Sequence, residues 1–190
     1  MAKKAKKAKA KAKRVVSKPA AKRAGPDPRK QFLDSYEREH ATTMRVLAAY
    51  PADKLDLQPH AKCKTARGLA WMFVMEQGLG ATALTKGLDW SKPMPAMPPP
   101  PATMDEIRAA LDQGHKQLAE IVKSLSDAQL SETVKFPVAP KTLADVPKLQ
   151  FVWMLLSDQI HHRGQFSIYL RMADGKVPSI YGPTADEPWN

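Results

Sequence analysis

Hydrophobic residues recur at helical spacing over four long stretches of the chain. From about Arg29 to Ala49, Phe32, Tyr36, His40, Thr43 and Leu47 return every three or four residues, which places them on one face of a helix. This helix stops before Pro51. The connector PADKLDLQPHAKCKTARG follows, with Leu55 and Leu57 tucked beneath it. Thr65 then reads as the N-cap of a second helix, on which Leu69, Met72, Phe73, Glu76 and Leu79 or Gly80 share a face. Gly78 and Gly80 either weaken that helix or let a neighbour approach it closely.

LDWSKPMPAMPPPP is too rich in proline for any element except extended or polyproline chain, so it reads as a rigid surface crossover. A third helix opens at TMDE, where Thr103 and Glu106 form a capping box, and it runs to about Ser124. Its apolar positions are Ile107, Ala110 or Leu111, Leu118, Ile121, Val122 and Leu125. SETVKFPVAPKT reads as an extended segment. The fourth and longest helix runs from Ala144 or Pro147 to Met172, with Gly175 as the glycine just past its end. No stretch alternates convincingly as a strand does. The expected class is therefore all-α, a four-helix bundle with one long crossover, over residues 29–190.

Charge changes the picture at the N-terminus only. The chain carries a formal +11, yet residues 1–30 hold 13 Lys and Arg against the single acid Asp27. The other 160 residues hold 17 basic and 18 acidic groups, so the bundle is nearly neutral. Residues 1–28 are almost all Lys, Ala, Arg and Pro, and are expected to be disordered when free. Lys3, Lys4, Lys6, Lys7, Lys9, Lys11, Lys13 and Arg14 would bind phosphate backbones without reading bases. Such a tail resembles those of bacterial histone-like proteins in composition alone. The bland reading is a solvated, solubilising tail.

One cysteine, Cys63, excludes an internal disulfide and a Cys-rich zinc site. It lies between Lys62 and Lys64, with no general base assignable beside it. No apolar run is long enough to span a membrane, so a cytoplasmic location follows by default, nucleoid-associated if the tail holds DNA. His60 reads as an exposed loop residue or one at the pocket mouth, and His115 as a solvent-side residue of the third helix. Trp71 and Trp153 read as core or dimer-interface aromatics. Phosphate-loop, nucleophile-elbow and zinc-finger patterns are absent.

The chemistry concentrates in DQIHHRGQF, Asp158 to Phe166. Asp158 and His162 are four apart, the spacing by which one helix offers two ligands to one metal. Leu155, Gln159, His162, Phe166 and Tyr169 form the stripe that can face inward. Two ligands alone make a weak site, and a helical histidine is more often a packed core residue.

SDQIHHRGQFSIYLRMADGKVPSIYGPTADE resembles the C-terminal signature of the DinB/YfiT-like superfamily. The Leu-x-Pro-His connector and the Leu-Ala-Trp of the second helix agree with it. The resemblance covers about residues 32–187. It implies an up-down-down-up bundle, often dimeric, holding one divalent metal through three histidines. Some members of the wider family use such a metal in thiol transfer, hydrolysis or isomerisation.

Transferred position by position, the helix-two ligand falls on Met72, the next on Asp158 and the last on His162. A single histidine of the three survives, and a thioether is a poor ligand for zinc, nickel or manganese. Glu76, one turn beyond Met72, is the substitute that would make a two-carboxylate, one-histidine site, with His40, Arg163 and Tyr169 around the pocket. The alternative has no metal. Met72 then packs the core, and Asp158 pairs with His162, aided by Arg163, His40 or Tyr36. The sequence leaves catalysis open.

Overall fold

The computed structural model of the protein describes residues 25, 27–93 and 96–189. The expectations for the basic tail, from Lys3 to Arg14 and over nearly all of residues 1–28, lie outside the described residues. Four long helices carry the fold: α1 (Pro28–Ala48), α2 (Ala66–Thr85), α3 (Met104–Ser124) and α5 (Lys148–Met172). The short α4 (Asp127–Ser131) and a hairpin of β1 (Thr133–Ala139) and β2 (Thr142–Pro147) lie between α3 and α5. α1 packs on α3 and α5, and so does α2, which sets the helices at the corners of a square.

Local chemistry explains the helix starts. Asp27 accepts the backbone N–H of Arg29 at 3.0 Å, ahead of Pro28 in the first turn. Thr65 caps α2 through the Gly68 amide, and Thr103 with Glu106 closes the expected capping box on α3. Leu55 is buried and Leu57 half-buried under the connector, as their spacing suggested.

The hairpin corrects the all-helical expectation. Antiparallel pairing sets Val134 opposite Val146, and both are buried. Pro137 lies beside an irregularity in the register, where a two-stranded sheet tolerates a missing N–H donor. That proline and the shortness of the strands hid the alternation. Ala144 and Pro147 accordingly belong to β2, and α5 begins only at Lys148.

The end of α5 differs from expectation as well. Asp174, at φ 59°, takes the left-handed position, and the Gly175 amide closes on the Leu170 carbonyl at 2.9 Å. Gly175 is required for space: a Cβ there would meet Leu170 Cδ1 at 2.2 Å. Gly80 likewise lets α3 and α5 close on α2, since a Cβ would meet Leu118 Cδ2 at 2.9 Å and Leu155 Cδ1 at 3.1 Å.

The core falls into two apolar clusters. One gathers Leu47, Phe73, Ile107, Leu111, Phe166 and Leu170, and the other Phe32, Leu84, Leu118, Val122, Phe151 and Leu156. On every long helix, buried polar residues stand between them: Thr43 on α1, Glu76 and Gln77 on α2, His115 on α3, Gln159 and Arg163 on α5. The candidate site belongs to this polar layer.

Candidate metal centre

Glu76 comes from α2, and Asp158 and His162 from α5 one turn apart. Packing of α2 on α5 brings one ligand atom of each within 4.8 Å of the other two. Glu76 is 5% exposed, His162 half-buried and Asp158 exposed, so the cluster has a buried floor and an open lip. From Asp158 a groove of about 550 Å³ runs past His161 along Met154, Trp153 and Phe136.

His162 Nδ1 stands 2.8 Å from Glu76 Oε1. The approach lacks the direction of a hydrogen bond: Nδ1 and both Glu76 oxygens are buried with no hydrogen-bond partner. Unpaired buried acceptors are costly, and three of them converging on one spot suit a shared cation. Zinc ligands at 2.0–2.2 Å in tetrahedral array stand about 3.3 Å apart, within the reach of these atoms. Two carboxylate oxygens and one imidazole fit zinc, nickel or manganese; the residues present fit the group.

Burial pushes the Glu76 carboxyl above its ordinary range, and His162 beside it only partly offsets this. The Glu76 carboxylate in turn raises the His162 pKa, against the effect of its own burial. Both shifts follow from the burial of the pair and from the attraction of the carboxylate for the imidazole.

The other expected residues are spread more widely. Met72 lies one turn before Glu76, half-buried, and belongs to neither apolar cluster, so it does not pack the core as supposed. The partner of His162 is Glu76, not Asp158. Tyr169 donates its hydroxyl to the Lys64 carbonyl at 3.0 Å, and the Lys64 charge opposes protonation of His162.

His40 turns away to α3, with Nε2 3.3 Å from Asp112 Oδ1. Arg163, 1% exposed, is a clasp rather than a pocket residue. It donates to the Glu39 carbonyl at 3.0 Å, the Glu39 carboxylate at 2.6 Å and the Tyr181 hydroxyl at 2.6 Å. His60 and Cys63 are exposed. Trp71 donates from its indole to the Pro98 carbonyl at 2.9 Å, which ties the crossover down.

His115 is a plain correction. It is 4% exposed, not solvent-facing, and stacks on His40 at 3.8 Å and on Tyr36 at 4.3 Å between ring centres. Its Nε2 lies 2.9 Å from Glu37 Oε2. The pairs Glu37–His40 and Asp112–His115 thus cross between α1 and α3, each acid facing the other helix's imidazole. An acid three residues before each histidine was the available signal, and it passed unread. Gln77, which the sequence analysis also missed, is 1% exposed and joins Gln159 from Nε2 at 3.3 Å.

Comparison with known proteins gives a consistent family. The family model described as the DinB family matches residues 22–189. The chain is 27% identical over 158 residues to the uncharacterized protein YrdA of Bacillus subtilis, covering 82% of this chain and 89% of that one. Its fold is similar to that of a DinB-like protein from Bacillus cereus, with a TM-score of 0.65 at 22% identity, over 80% of this chain and 97% of the other. A second DinB-like protein, YjoA of Bacillus subtilis, matches with a TM-score of 0.61 at 14% identity, over 79% and 96% of the two chains.

Proposed function

This chain belongs to the DinB family, and on that footing we propose that it is a metal-binding bundle in which Glu76 has taken over the ligand place left empty by Met72. Glu76, Asp158 and His162 hold one divalent ion of zinc, nickel or manganese. The observation that carries this reading is the convergence of three buried, unpartnered atoms on Glu76 and His162, with Asp158 within 4.8 Å. The ion, when bound, supplies a Lewis acid and an activated water or thiol. The residues do the rest: Glu76 anchors from the floor, Asp158 completes the ligand set at the solvent edge, and the groove beside it admits a small molecule.

The groove favours a second reading in which the protein is a metal-dependent enzyme of the thiol-transferase, hydrolase or isomerase kind. Its aromatic and thioether lining meets the Asp158 edge, where a reacting group would be held. In both readings the helices run up-down-down-up, the chain forms a homodimer, and residues 1–30 bind nucleic acid without sequence preference. The charge of the tail supports nucleoid association; a cytoplasmic location and a stress-linked role are proposed by analogy with the family alone.

Metal content by mass spectrometry, on untagged protein purified without chelator, tests the site. About one equivalent per chain is expected for the wild type, and a loss to background in His162→Ala. A metal-free wild type that also takes up none on dialysis against zinc, nickel or manganese would overturn the reading.

A further inference from the structure

A second cavity opens beside the first turn of α1. It holds about 570 Å³ and lies between the start of α1, the short α4 and the start of α5. Glu76, Asp158 and His162 do not line it. Its apolar walls are Pro28, Leu130, Pro147, Leu149 and Trp153. Leu130 is 4% exposed, and the Trp153 ring is braced edge-on against Phe32 at 5.4 Å between centres. A concave, largely apolar space of about 300–1,000 Å³ with one or two polar anchors is the usual form of a small-molecule site.

The anchor here is a cation. Arg29 lines the cavity with a side chain 24% exposed, and one of its terminal nitrogens pairs with Asp127. Its Nε is buried and has no hydrogen-bond partner among the described residues. A buried donor on a charged group is costly to leave unpaired. Neither nearby acid removes that cost. Asp27 is engaged by the Arg29 backbone amide, 3.0 Å from its Oδ1. The Asp127 side chain is 94% exposed, so its pair with Arg29 is solvated and holds the guanidinium weakly.

The missing partner is an acceptor that enters through the cavity. A carboxylate matches best, because it takes the Nε–H and a terminal N–H side by side. The start of α5 adds to the attraction, since no side chain caps it and the positive end of its dipole is left for an anion. A dianion such as a phosphate ester fits less well. Asp27 and Asp127 border the same cavity, and Arg29 is the single cation among the described residues that line it. The apolar walls select the rest of the molecule, because a hydrocarbon or aromatic body is driven out of water onto them.

We propose that this cavity binds an apolar monocarboxylate, a short fatty or arylalkanoic acid, with its carboxylate on Arg29 and its body against Leu130, Leu149 and Trp153. The site stands apart from the metal reading, since none of the candidate ligands takes part. Trp153 and Gln150 also line the groove beside Asp158, so the two openings are neighbours along α5.

The test is isothermal titration calorimetry of octanoate and 3-phenylpropionate into the full chain, with octanol as the uncharged probe and chelator present throughout. One saturable site per chain is expected for each acid, with a Kd of about 0.1–1 mM for ligands of about ten heavy atoms. Octanol should bind about 10-fold more weakly. Arg29→Met keeps the apolar bulk and removes the guanidinium. It should bring both acids to the level of octanol and leave octanol unmoved. Ser131→Phe puts a ring into the cavity from an exposed position and should abolish binding of all three. Melting curves check both folds. Should Arg29→Met be unstable, Arg29→Lys takes its place and is expected to weaken the acids as well, because it keeps the charge but loses the fork. Acids held by the basic tail would be indifferent to Ser131→Phe, and that result overturns the proposal. So does a failure of both acids to bind, or an equal affinity for octanoate and octanol that the Arg29 variant leaves unchanged.

Discussion

Glu76 is a carboxylate 5% exposed, without a hydrogen-bond partner, 2.8 Å from an equally unpartnered imidazole nitrogen. A side chain in that position is either a liability or a ligand. Glu76→Gln separates the two. If the carboxylate is a ligand, the variant loses metal by at least about 10-fold in Kd. At the same time its metal-free form gains stability, because a neutral amide is cheaper to bury than a charge. Melting curves with and without zinc should therefore move in opposite directions. Movement in one direction under both conditions would show a purely structural acid.

His40 offers a second prediction at this scale. Burial holds its pKa below the ordinary 6.5, helped by His115 and opposed by Asp112 and Glu37. The unfolded chain therefore binds this proton more readily than the folded one. The stability His40 contributes is complete above pH 6.5 and is lost as pH falls from 6.5 toward the lowered value. His40→Phe keeps a ring in the stack and removes the titration, so melting temperature should fall less steeply as pH drops below 6.5 than in the wild type. Equal slopes would dismiss the effect.

Among the elements, α5 is the one on which the fold turns. It carries two candidate ligands, the buried Gln159 amide and the Arg163 clasp within a single helix. Arg163 holds the C-terminal segment through Tyr181 and α1 through Glu39, and its guanidinium also lies 5.2 Å from the Tyr181 ring centre. Arg163→Met leaves the buried side of this clasp uncompensated and should cost about 3 kcal/mol, read from denaturant curves. It should also open residues 176–189 to limited proteolysis. Arg163→Lys is not expected to restore either, since an ammonium cannot reach three acceptors as the planar fork does.

The helices themselves were readable because their signals are local. Thr65, Thr103 with Glu106, and the three-to-four spacing of Phe32, Tyr36 and Leu47 act within one or two turns. The hairpin was not, because β1 and β2 are stabilised by their pairing with each other and by Val134 and Val146 reaching the core. His115 was misread for the same reason. Its neighbours in sequence are polar, and its burial comes from His40 and Tyr36 on another helix.

Over the whole molecule, the net charge and the core have separate origins. All of the excess +11 lies in residues 1–30, and the bundle is close to neutral. Removing residues 1–26, which spares the Asp27 cap of α1, should leave the melting temperature unchanged and abolish retention on DNA. For the full chain, affinity should fall with salt at about −0.9 log units per log salt for each phosphate neutralised. DNA binding that survives the truncation would move the interface onto the bundle.

The sequence alone determined the helix repeats, their caps, the family signature around DQIHHRGQ and the segregation of charge into one end. Each depends on residues near one another in the chain. Tertiary structure decided what the buried polar residues do. Glu76 rather than Asp158 faces His162, Arg163 became a clasp, and Gln77 found Gln159, because a buried polar group must be satisfied by whichever helix packs against it. That partner is set by the packing of four helices in space, and no local spacing encodes it.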